Sequence, residues 1–114
     1  MTVWQRAFDM VLAVYKLTNS YPSDEKYNLI SDMRRAANSV SNNIAEGFGR
    51  YERLDKTRFY KISRGSCYEL INQILISEAL KYVEKNEVEI VISNYKTVIE
   101  ELDMMIKTIE NRKK

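Results

Sequence analysis

Apolar residues recur along this chain at three- and four-residue intervals, which is the spacing of one face of an α-helix and not the strict alternation of a half-buried strand. Few places break that rhythm. The first run opens at "TVWQ", where Thr2 and Gln5 have capping-box spacing, and continues through Trp4, Phe8, Val11, Leu12, Tyr15 and Leu17 to about Thr18. "NSYPSDEK" is the next connection: Pro22 restricts Tyr21, and Ser23 can cap a second helix with Asp24 and Glu25 in its first turn. That helix sets Ile30, Met33, Ala37, Val40 and Ile44 on one seam and is expected to stop where Gly47 turns left-handed. A third helix is expected from about Asp55 through Phe59, Ile62, Leu70, Ile71, Ile74, Leu75 and Leu80, with Gly65 as an interior weak point. "KNEVE" then turns, Asn86 and Glu89 offering cap and third-position partner. Beyond it Val88, Val91 or Ile92, Tyr95, Val98 or Ile99, Leu102, Met105 or Ile106, and Ile109 repeat along a fourth helix, before an "NRKK" tail expected to fray.

Four helices of similar length with short connections predict an all-α, up-down-up-down four-helix bundle, and 114 residues predict that positions 1–114 form one domain. The first helix is apolar on most sides, with Val3, Met10 and Val14 added to the run above. Either it is central in the packing or it helps to form a subunit interface. No apolar run reaches the roughly 18 residues of a membrane span, the start of the chain does not read as a secretory leader, and the single Cys67 fits a reducing compartment. The expected location is the cytoplasm.

A net charge of +2 says little, but its distribution is uneven: up to Ser66 there are eleven Lys and Arg against seven Asp and Glu, and from Cys67 onward seven against nine. Histidine is absent, which removes His-dependent nucleophile systems and the carboxylate–histidine metal sites of many helical bundles. Cys67 reads as a packed thiol, and Glu100, Glu101 and Asp103 as a solvated face rather than a metal site. Glu46 and Glu69 sit in small or apolar neighbourhoods, where pairing with an arginine such as Arg35 is the first expectation and acid–base chemistry a remote one. The expectation is therefore a non-enzyme with no cofactor and no metal.

The stretch "RRAANSVSNNIAEGFGRYER" stands out, because a buried helix would carry more Leu and an exposed one more Lys and Glu. Arg35, Ser39, Asn42 and Glu46 follow one another on the side opposite the seam. Short polar residues there fit an ordinary solvated face or the close approach of a second polypeptide. Past the turn, Arg50 and Arg53 lie beside Phe48 and Tyr51, and Lys61, Arg64, Tyr68 and Asn72 form one helical stripe. Cations with an interleaved aromatic suit phosphate contact plus base stacking, so Arg50, Arg53, Lys61, Arg64 and Tyr68 are the candidate nucleic-acid-binding residues. Intramolecular salt bridges, with Glu52 and Asp55 close by, are the competing account.

Together "VWQRAFDMVLAVYKLT", "YPSDEKYNLISDMRRAANSVSNNIAEGFGR" and "RFYKISRGSCYEL" resemble the bacterial 23S rRNA intervening-sequence protein family, also called the four-helix bundle protein family. The likeness runs from Val3 to about Tyr82, with the fourth helix fitting by pattern. It implies small helical bundles that assemble into rings of five subunits, with no enzymatic activity, and it reaches more distantly to the nucleic-acid-binding accessory protein of diversity-generating retroelements. Its pattern positions here are Arg34, Arg35, Asn38, Asn42, Asn43, Glu46, Gly47, Gly49, Arg50, Gly65, Ser66 and Glu69. The partners expected are other copies of the chain, as a homo-oligomer and by resemblance a pentamer, and RNA or another nucleic acid. The alternative is a protein-interaction scaffold without a nucleic-acid role.

Overall fold

The computed structural model describes residues 1–112, so the last part of the "NRKK" tail, Lys113 and Lys114, lies outside the described residues. Its helices are α1 (Thr2–Thr18), α2 (Leu29–Phe48), α3 (Arg53–Ala79) and α4 (Lys85–Asn111), with one 3₁₀ turn at Ser23–Glu25. They stand up and down in a square: α1 packs on α2 and α4, α3 packs on α2 and α4, and among the described residues the backbones of the diagonal pairs stay apart. The result is an elongated bundle of 50 × 24 × 19 Å, the architecture the spacing predicts.

The seams follow the sequence closely on α2 and α4. Ile30, Met33, Ala37, Val40 and Ile44 are all buried, and so are Val88, Val91, Tyr95, Val98, Ile99, Leu102 and Ile106. On α1 the inward stripe is instead Val3, Ala7, Met10, Val14 and Thr18, which leaves Phe8, Leu12 and Tyr15 exposed. The helix is thus not central. On α3 the expected line through Ile62, Leu75 and Leu80 faces solvent. The buried line is Thr57, Tyr60, Ser63, Ser66, Cys67, Leu70, Gln73, Ile74 and Ser77. Small hydroxyls let α3 approach α2 closely, because they bond across it or back to their own helix: Ser63 Oγ donates to the Val40 carbonyl at 2.8 Å and Ser66 Oγ to Ser39 Oγ at 2.9 Å.

Several ends differ from expectation. Thr2 is already helical, so its hydroxyl caps nothing, and Gln5 instead donates through its side chain to Asp9. Ser23 starts the 3₁₀ turn, and α2 begins only after Asn28, whose backbone lies outside both helical and extended regions. Gly47 remains inside α2, which ends at Gly49 with φ −80°. The last turn falls earlier than "KNEVE". Lys81 takes φ 65°, its N–H and that of Tyr82 return to the carbonyls of Glu78 and Ser77 at 2.9 Å each, and α3 closes as a Schellman motif. The α4 cap is then Glu84, whose N–H donates to the Glu87 carboxylate at 2.9 Å, two residues before the expected pair.

Candidate functional site

The small, polar character of α2 follows from its two flanks. One flank is stitched to α3, with Arg35 donating to Glu69 at 2.6 Å and Asn43 to both Ser39 oxygens on its own helix. The other is stitched to α1: Arg34 Nε donates to Thr18 Oγ1 at 2.9 Å and its NH2 group to the Tyr15 carbonyl, while its guanidinium lies 4.6 Å from the Tyr15 ring centre. Arg34 therefore adds a cationic donor at the end of α1, where the Tyr15 carbonyl also accepts from the Asn19 N–H, and its charge suits the negative end of that helix. Asn38 adds a bond to the Tyr15 hydroxyl at 3.0 Å. Much of the unusual composition of this stretch is thus explained by neighbouring helices of the same chain. Asn42 is the exception, exposed beside α1.

Between α1 and α2 runs a groove of about 360 Å³, walled by Trp4, Phe8, Val11 and Leu12 on one side and by Asn38, Ser41, Asn42 and Ala45 on the other. Leu12 is 58% exposed and Phe8 42%. Large apolar side chains on one wall and short ones on the other leave a trough that a second helix could enter.

The five basic-stripe residues are not gathered at one spot. Arg50 pairs with Glu46 at 2.8 Å and sits 4.9 Å from the Phe59 ring centre, at the corner where α2 passes to α3. Arg53, at the same corner, donates to the Arg112 carbonyl at 2.8 Å. Lys61 and Arg64 turn toward α4, meeting Glu110 at 2.8 Å and Asp103 at 2.7 Å. Tyr68 stands on the outer face of α3, 57% exposed. The two aromatics read beside those arginines are at the surface of the corner: Tyr51 is 97% exposed, and Phe48 and Leu54 are exposed as well. Lys56 completes it from below, its ammonium donating to the Gly47 and Phe48 carbonyls that end α2.

The remaining chemistry is quiet. Burial pushes the Cys67 thiol up to about 12. Glu46 and Glu69 each accept from an arginine at the surface. Among the described residues no group of three or more Cys, Asp or Glu is arranged to hold a metal ion, and no helix is long and apolar enough to cross a membrane.

Comparison with known proteins places this geometry. No curated protein matches the chain. A solved structure does: the crystal structure of a protein with unknown function from the S23 ribosomal protein family of Bacteroides thetaiotaomicron superposes with a TM-score of 0.86, covering 93% of this chain and 96% of that one at 16% identity. At that identity the likeness speaks for the fold alone. The family profile of the 23S rRNA-intervening sequence protein matches residues 1–105, which takes in the α1–α2 groove, the corner and most of α4. A match over nearly the whole bundle makes the chain a member of the 23S rRNA-intervening sequence protein family.

Proposed function

We propose that this chain is a noncatalytic scaffold that assembles with copies of itself, and that its working surface exists only in the assembly. One observation carries the reading: α1 exposes Phe8, Leu12 and Tyr15 along an open groove, although a single bundle could have kept that face polar at no cost to its core. Five subunits is the size the family resemblance implies. The buried free thiol of Cys67 suits the cytoplasm. Light scattering coupled to size exclusion on wild type and Leu12→Asp tests the reading: the wild type elutes as an oligomer and the variant, still helical by circular dichroism, as a monomer. Equal masses for the two would remove the groove from the account.

A second reading, binding of RNA or another nucleic acid, draws on the exposed Tyr51 next to Arg50 and Arg53 at the corner, with Lys61 and Arg64 farther along α3. The ion pairs of Arg50, Lys61 and Arg64 lie at the surface, where such pairs contribute only about 0–1 kcal/mol, so a phosphate can displace a carboxylate. Tyr68 would then supply a further stacking surface. Single-stranded RNA should bind with an affinity that falls as salt rises. Replacing Arg50, Arg53, Lys61 and Arg64 by Gln should flatten that slope by about one unit for each phosphate no longer neutralised. Equal binding by wild type and a folded quadruple variant sets this reading aside and leaves the scaffold alone.

A further inference from the structure

Across the bundle from the α1–α2 groove, where the start of α3 lies against the end of α4, a cleft of about 430 Å³ opens to solvent. Lys56 and Tyr60 enter it from α3, and Met104, Met105, Ile109 and Arg112 from α4 and its cap. Spacing explains the convergence: Lys56 and Tyr60 are four residues apart, and Met105, Ile109 and Arg112 are four and three apart, so each set stands on one face of its helix. The register is fixed by Arg53 on the Arg112 carbonyl, Lys61 on Glu110 and Arg64 on Asp103. Lys56 is therefore level with Arg112 at the end of the bundle, and the two methionines lie farther up the cleft.

The polar groups at that end lack a counterpart. No carboxylate lines the cleft, and among the described residues neither Lys56 nor Arg112 pairs with one. The Lys56 ammonium donates to the Gly47 and Phe48 carbonyls, which leaves one of its N–H groups free. Tyr60 is the most buried of the lining residues, at 2% exposed, because Gly47 admits its ring against α2. Its hydroxyl has no hydrogen-bond partner among the described residues, yet unlike those of Tyr21 and Tyr95 it is not sealed from solvent. Burial raises the Tyr60 pKa, so the phenol stays protonated at neutral pH and can only be satisfied as a donor by an acceptor that reaches it through the cleft.

We infer that this cleft binds a medium-chain acyl carboxylate, its head group held by Lys56, Tyr60 and Arg112 and its chain lying along Met105 and Met104. The arginine fork matches both oxygens of a planar carboxylate, and the ammonium and phenol supply further donors. Flexible thioether side chains adapt to a hydrocarbon chain, and the cleft is within the roughly 300–1,000 Å³ range of small-molecule sites. A nucleotide is the poorer occupant, because the lining holds no amide or carboxylate to read a base edge. The inference rests on neither the scaffold reading nor the nucleic-acid reading.

Nuclear magnetic resonance of the wild-type chain with isotope-labelled methionine methyl groups tests it, with decanoate as the probe. Decanoate should move the Met104 and Met105 signals saturably and leave the buried Met10 and Met33 in place. Decanol should bind several-fold more weakly, and inorganic phosphate should leave all of these signals unmoved. Tyr60→Phe, which keeps the ring over Gly47, and Arg112→Gln, at an exposed position, should each weaken decanoate several-fold while circular dichroism stays unchanged. Decanol binding as tightly as decanoate would overturn the inference, since it shows adsorption to apolar surface without a head-group site. Decanoate binding unchanged by the two substitutions would overturn it as well. So would a shift at Met1 without one at Met104 and Met105, which places the probe beside Trp4 instead.

Discussion

Gly47 lies under the ring of Tyr60: a β-carbon added to it would stand 2.6 Å from one ring carbon of Tyr60 and 3.2 Å from the Lys56 carbonyl oxygen. The glycine is required by the approach of α3 and not by a left-handed turn. Gly47→Ala should therefore cost about 1–3 kcal/mol through forced displacement of a buried ring, and Gly47→Val more. Urea denaturation of the two variants checks this. Pairing Gly47→Ala with Tyr60→Leu should return part of the loss, an outcome a backbone-conformation account does not give.

Gly65 predicts the opposite sign for the fold. With open space at its β position, Gly65→Ala should raise the stability of the isolated subunit by about 0.5–1 kcal/mol. Urea denaturation of wild type and variant reads the difference, and a midpoint that falls would contradict the open space at this position.

Lys81 holds φ 65°, a backbone region that costs a side-chain-bearing residue about 1–2 kcal/mol. Lys81→Gly keeps the Schellman hydrogen bonds and removes that cost, so the melting temperature should rise. Lys81→Val should lower it.

Cys67 makes stability depend on alkaline pH. Burial lifts its folded value from the ordinary 9.0 to about 12, so the unfolded chain gives up this proton first. The contribution is fully present below pH 9.0 and is lost as pH rises toward 12. Relative to Cys67→Ala, wild type should lose up to about 1.4 kcal/mol per pH unit across that window. Parallel pH profiles of the two would contradict the burial.

The fold was legible where apolar and polar residues contrast. Ile30, Met33, Val40 and Ile44 on α2 and the Val88–Ile106 line on α4 are large and apolar at helical spacing, and both seams are buried as read. α3 hid its core because Ser63, Ser66 and Ser77 look like surface residues, and their burial rests on Val40, Ser39 and Met33 reached across the bundle or on a carbonyl of α3 itself, while Gln73 is buried with its Oε1 unpartnered. Ile62 and Leu75 then drew the inward assignment that belonged to smaller side chains. The candidate basic residues lie at the surface, but Arg64 and Lys61 find carboxylates on α4, 39 and 49 residues away, a pairing that no local spacing records. Gly47 was singled out for the wrong reason, since one sequence cannot tell a glycine made for a turn from one made for a neighbouring ring.

Sedimentation equilibrium of the wild-type chain over a range of micromolar concentrations tests the central claim, self-assembly, most directly. The account predicts a single species well above the 13.4 kDa subunit, and about five times that mass if the family ring applies. A species at 13.4 kDa throughout the range, from a protein that is fully helical and unfolds cooperatively, would contradict it.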